Sequence, residues 1–109
     1  MTSSEDRTVQ VETDGKVLAE ADVRLTDEPG VVASSMHVES GHLPVGTGIR
    51  LVDAVLEHPE VDAAERLVAT MPIGDTEMIE RVRQRGDDVE ARAAGATKIV
   101  EARLERGRH

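Results

Sequence analysis

Hydrophobic and polar positions alternate through the first third of the chain. Val9 and Val11 share one side of a short segment, and after Asp14-Gly15 the alternation resumes cleanly. Val17, Ala19, Ala21, Val23 and Leu25 fall on one side, with Glu20, Asp22 and Arg24 on the other. A period of two marks half-buried strands. Asp-Gly between two of them predicts a hairpin, because a type I′ turn needs positive φ at both central residues. Residues 26–30, TDEPG, carry turn chemistry. A third strand is expected over 31–39, with Val32, Met36 and Val38 on its apolar side and Ser35, His37 and Glu39 on the other.

The period then changes. Residues 47–57 predict a helix with Ile49, Val52, Val55 and Leu56 on its inner face. His58-Pro59 ends it, since the residue before proline avoids helical geometry. One further turn over 60–65 leads to a short apolar run, 67–71, with the composition of a buried parallel strand closed by Pro72. Asp75 suits the N-cap of a second helix, Glu77 suits its dipole, and Met78, Ile79 and Val82 form its inner face. Glu77 and Arg81 are spaced as an i,i+4 pair on the outer side, and Gly86 is a C′ candidate. Strands over 89–92 and 98–104 flank a turn at 94–96. The order β-β-β-α-β-α-β-β predicts an α/β (α+β) domain, a small mixed and mostly antiparallel sheet with two main helices. The domain is expected over 8–104, between a disordered N-terminus, 1–7, and a polar tail, 105–109.

Composition narrows the function. The chain has 109 residues, enough for one domain with its own core. It has no Phe, Trp or Tyr, so that core must be aliphatic and no base-stacking platform exists. A net charge of -9 argues against nucleic acid and anionic membranes, both of which bind basic patches. With no Cys there is no disulfide framework or thiolate chemistry. The start, MTSSEDRT, has neither the basic nor the apolar region of a signal peptide, and a cytoplasmic location is expected.

The segment with a chemical purpose is the loop Leu43-Pro44-Val45-Gly46-Thr47-Gly48, which opens the first helix and can present backbone N–H groups to an anion. This loop and the element order resemble the GNAT acyltransferase family, whose signature loop reads Gln/Arg-x-x-Gly-x-Gly/Ala. Gly46 and Gly48 match; Leu43 stands where the family has Gln or Arg. The resemblance covers about residues 9–104. The family's initial strand and two helices have no room here, and the face that they would cover carries Glu20, Asp22 and Arg24. The resemblance implies binding of CoA or acetyl-CoA along Met36, Val38, Val45, Gly46, Thr47, Gly48, Ile49 and Arg50, with the pyrophosphate on the loop amides. It also implies a general base close before the loop, for which Glu39 and His37 are the candidates. The phenol that the family often uses as general acid is missing, since the chain has no Tyr.

Other chemistries fit less well. His37, Glu39 and His42 suggest a metal cluster by spacing, but the cysteine pair of the zinc deaminases is absent, and no metal is expected. Ser34 and Ser35 have no nucleophile-elbow context. His58 reads as a cation at a helix C-terminus. The expected function is that of a minimal acyl-CoA-binding domain with N-acyltransferase chemistry. The alternatives are a non-catalytic binding or dimerisation module and an unrelated ferredoxin-like domain. A monomer or a homodimer with open sheet edges is expected.

Overall fold

A computed structural model describes residues 7–39 and 43–104. The strands β1 (Arg7–Thr13), β2 (Lys16–Leu25) and β3 (Val31–Val38) form an antiparallel meander. Asp14 and Gly15 both have positive φ, 54° and 78°, as the expected hairpin turn requires. Helix α1 (Thr47–Glu57) and the single turn α2 (Pro59–Asp62) carry the chain across to β4 (Arg66–Pro72), which pairs parallel to β3. Helix α3 (Thr76–Arg85) then leads to the hairpin of β5 (Asp87–Ala94) and β6 (Thr97–Arg103). β6 inserts beside β4, so the sheet order is β1-β2-β3-β4-β6-β5. This is the mixed, mostly antiparallel sheet expected from the patterning, with one parallel pair at its centre.

The core lies between the sheet and the two main helices. Met36, Leu51, Leu67, Met71 and Met78 are its largest fully buried side chains. α1 takes the bounds expected from the sequence, but its buried stripe is Gly48, Leu51, Val52 and Val55. Ile49 and Leu56, expected inside, are only half-buried. The stripe is rotated because α1 touches both the sheet and α3. Thus Leu51 is enclosed, while Ile49 borders a hollow with α3 residues Thr76, Glu77 and Arg81.

In β2 the expected alternation breaks at both ends. The β1–β2 register slips, so that Val11 faces Ala19 while Glu12 faces Val17. The extra residue, Leu18, is buried, and Val17 is only half-buried. A bulge of this kind reverses which face a side chain reaches. Leu25, expected inside, is 62% exposed, because it ends β2 beside an exposed turn. Gly86 closes α3 with an extended backbone rather than the left-handed one of a C′ glycine. Its lack of a side chain matters for packing, since a Cβ would lie 3.1 Å from that of Ala102.

No helix among the described residues is long and apolar enough to cross a membrane.

Candidate functional site

The parallel pair at the sheet's centre comes apart. The β3–β4 ladder runs from Val31–Arg66 to Ser35–Thr70 and stops there. Both strands continue, β3 through Met36 to Val38 and β4 through Met71 to Pro72. On its other side β3 pairs with β2 at Val32–Leu25 and Ala33–Arg24, and that ladder is interrupted at the same place. It resumes from Met36–Ala21 through Val38–Ala19, while Ser34 and Ser35 have no ladder partner in β2. The Ser35 N–H instead donates to the Asp22 carboxylate at 2.7 Å. β3 is therefore flanked by both β2 and β4 near its start and by β2 alone beyond Ser35, so the ends of β3 and β4 face each other unpaired.

The glycine loop stands at this end of the sheet, and its two glycines serve different needs. Gly46 is the N-cap of α1, with φ 94°, a conformation that costs other residues. Gly48 is needed for space: a Cβ there would meet Met78 Cγ at 3.1 Å and Glu77 Oε1 at 3.2 Å. Helix α1 has no side-chain N-cap and no acidic residue in its first turn. Its exposed amides are met from α3. The Gly46 N–H donates to Glu77 Oε2 at 2.9 Å, and the Gly48 N–H donates to Glu77 Oε1 at 3.2 Å. Thr47 turns inward, its hydroxyl donating to the Pro44 carbonyl at 2.7 Å. Arg50 is exposed and makes no ion pair among the described residues. Val45, at the loop tip, is 95% exposed.

Sequence reasoning placed Glu77 with Arg81, one turn along α3. The structure corrects this. Arg81 grips Asp53 of α1 through two bonds, Nε to Oδ1 at 2.8 Å and Nη2 to Oδ2 at 3.0 Å, and Arg85 adds a third at 2.8 Å. A bidentate bond to Arg81 holds the Asp53 carboxyl below its usual pKa and the Arg81 guanidinium above its own. The start of α3 is itself anchored: Asp75 caps it by accepting from the Met78 N–H at 2.9 Å, and Lys98 of β6 donates to the Asp75 carbonyl at 2.7 Å. Glu77 is thus carried on a fixed turn of helix.

Of the other expected site residues, Met36 is buried in the core and Val38 is half-buried, so Met36 has no side-chain surface to offer a ligand. His37 and Glu39 are both exposed and border a hollow of about 130 Å³ with Val17, Ala19, Glu20 and Val38. The Glu39 N–H donates to the Leu18 carbonyl at 2.9 Å, which fixes the strand end while leaving the carboxylate in solvent. His42 lies outside the described residues. Among those described, no group of three or more His, Asp or Glu is poised for a metal. His58 proves to be an acceptor: its Nδ1 receives the Glu60 N–H at 3.1 Å, so it caps the start of α2 while ending α1.

No protein-family model matches the chain, and no curated protein matches it. Solved structures do match. An acetyltransferase of the GNAT family from Streptococcus pneumoniae superposes with a TM-score of 0.64 at 12% identity, over 95% of this chain and 70% of its own. A structure from Salmonella typhimurium, solved with its cofactor acetyl-CoA, superposes at 0.62 with 17% identity, over 95% and 66%. N-Acetylglutamate synthase from Neisseria gonorrhoeae, complexed with coenzyme A and N-acetyl-glutamate, superposes at 0.64 with 18% identity, over 92% and 26%. This chain therefore spans only part of each of these proteins. Identities this low speak for architecture alone, and the architecture agrees in element order: the chain has a GNAT-like fold.

Proposed function

We propose that the domain binds acyl-CoA between the unpaired ends of β3 and β4 and transfers the acyl group to an amine. The observation that carries this reading is the end of the β3–β4 ladder at Ser35–Thr70, directly below a glycine loop that opens a helix. Beyond the ladder the sides of β3 and β4 that face each other have no strand partner, and an extended amide-bearing ligand can bond to backbone groups left so. The loop amides suit an anion, because they already hold one: the Glu77 carboxylate stands where a phosphate oxygen would. Val45, Gly46, Thr47, Gly48, Ile49 and Arg50 would hold the ligand's phosphate end, and the ends of β3 and β4 its extended arm. Bound there, acyl-CoA supplies an acyl group already activated as a thioester.

The chain's own chemistry is sparse. Glu39 is the proposed base, placed where the chain leaves β3 for the loop, with His37 two residues before it on the same side. The absence of any tyrosine removes a phenol as proton donor. Slow transfer is the expectation.

Calorimetric titration with CoA and acetyl-CoA, followed by an acetyl-transfer assay over an amine panel, tests the reading. Saturable binding with turnover that falls in Glu39→Gln is expected. Binding without turnover would leave a non-catalytic module, and no binding by either ligand would remove the acyl-CoA reading.

A further inference from the structure

The loop amides are not waiting for a ligand; they are in use. Glu77, from 29 and 31 positions away in sequence, places both carboxylate oxygens on them. We propose that Glu77 is an internal competitor for this cradle, so that the anionic end of a ligand enters only by displacing the Glu77 carboxylate. The inference rests on the acyl-CoA reading and adds a gate to it, one that lowers affinity for phosphate-bearing ligands and sets apart ligands that lack them.

Each backbone N–H is a single donor, and carboxylate and phosphate oxygens compete for it as like acceptors. If the carboxylate stays, a phosphate finds the two amides taken and a negative charge beside it. The net charge of -9 adds to that repulsion. Displacement needs no movement of helix α3, whose first turn is fixed by Asp75 and Lys98. It needs only rotation of the Glu77 side chain, which sits with Ile49, Glu80 and Arg81 around a common hollow. Arg81, one turn along, adds a positive charge beside that hollow while its own bonds stay on Asp53. Gly48 is part of the same device. Without a Cβ it lets Glu77 and Met78 approach; a Cβ there would stand 3.2 Å from Glu77 Oε1, so the carboxylate would have to give way.

Amide NMR of the wild type, Glu77→Ala and Glu77→Gln, titrated first with inorganic pyrophosphate and then with CoA, tests the proposal. Glu77→Gln keeps the size of the side chain and guards against misfolding in the alanine variant. Pyrophosphate is expected to shift the Gly46 and Gly48 amide resonances in both variants at concentrations about tenfold lower than in the wild type, the effect of removing one charge-assisted competitor. CoA affinity should rise in parallel. Equal responses in all three proteins, or none in any of them, would overturn the gate. If pyrophosphate behaves as expected while CoA binds none of the proteins, the gate stands and the acyl-CoA reading falls, so the two can fail separately.

Discussion

Helix α3 holds α1 at two places, and the two contacts work by different physics. Midway along, Arg81 and Arg85 close on Asp53, a side chain–side chain ion pair that is about a quarter exposed on the Asp53 side. At the start, Glu77 reaches backbone amides at the N-terminus of α1. The first contact satisfies charges that exist only because the side chains are there. The second satisfies groups that every helix start possesses and that any anion can claim. One joins two side chains to each other; the other is, on the proposal above, a place at which an anion from outside would change the structure's own bonding.

The most severe way to break the comparison is to dislodge α1 and lose both contacts together. Val52 is fully buried under the helix, and Val52→Asp is expected to cost about 3–5 kcal/mol by burying an unpaired carboxylate. Denaturant unfolding measures this; a wild-type midpoint would mean that the buried face of α1 is misplaced.

Gly48→Ala is sharper, because it strikes the Glu77 contact and spares Asp53. The added methyl meets Met78 Cγ at 3.1 Å. Overpacking typically costs 1–3 kcal/mol, and the gain in helix propensity returns up to about 1, so a net loss of about 1 kcal/mol is expected. The Gly46 amide should lose its hydrogen-exchange protection while the Asp53–Arg81 bonds persist. A variant as stable and as protected as the wild type would show that α3 is not tightly seated there.

Asp53→Asn isolates the clamp through its pH dependence. The Asp53 carboxyl has a lower pKa folded than unfolded, so its stabilisation is fully present above the unfolded value, about 3.9, and is lost as pH falls through the folded value. The variant should lose less stability than the wild type between neutral pH and pH of about 3. Parallel acid limbs in the two proteins would take Asp53 out of the acid response.

The mildest change is Glu77→Gln, which keeps an acceptor but removes the charge from the helix start. A loss of about 0.5 kcal/mol is expected from the dipole alone. The same substitution is expected to raise anion affinity, so stability and binding should move in opposite directions, as they should not for Asp53→Asn. Stability and affinity falling together would make Glu77 a simple cap.

What the sequence disclosed follows this division between local and distant partners. The bounds of α1 were legible because Gly46 and His58-Pro59 are local stop signals, and the β1–β2 hairpin because Asp14-Gly15 dictates its own backbone. The destination of Glu77 was not legible. The i,i+4 rule offered Arg81, but Arg81 found in Asp53 a bidentate partner 28 positions away. A signal was present: α1 begins with neither an acidic residue nor a capping side chain, an unmet demand that had to be supplied from elsewhere. The end of the β3–β4 ladder was hidden for a similar reason. Met36–Val38 and Met71–Pro72 read as strand whether or not they pair, and only tertiary structure decides where a ladder stops.

The wholly aliphatic core has a consequence for how this protein is observed. Without Phe, Trp or Tyr the folded chain neither absorbs appreciably in the near ultraviolet nor fluoresces there, so the methods that usually report folding and concentration see almost nothing. That silence is an asset for testing the proposed ligand. An adenine-bearing ligand would be the only strong chromophore in the complex, and its absorbance, circular dichroism or sedimentation with the protein could be followed against a blank background.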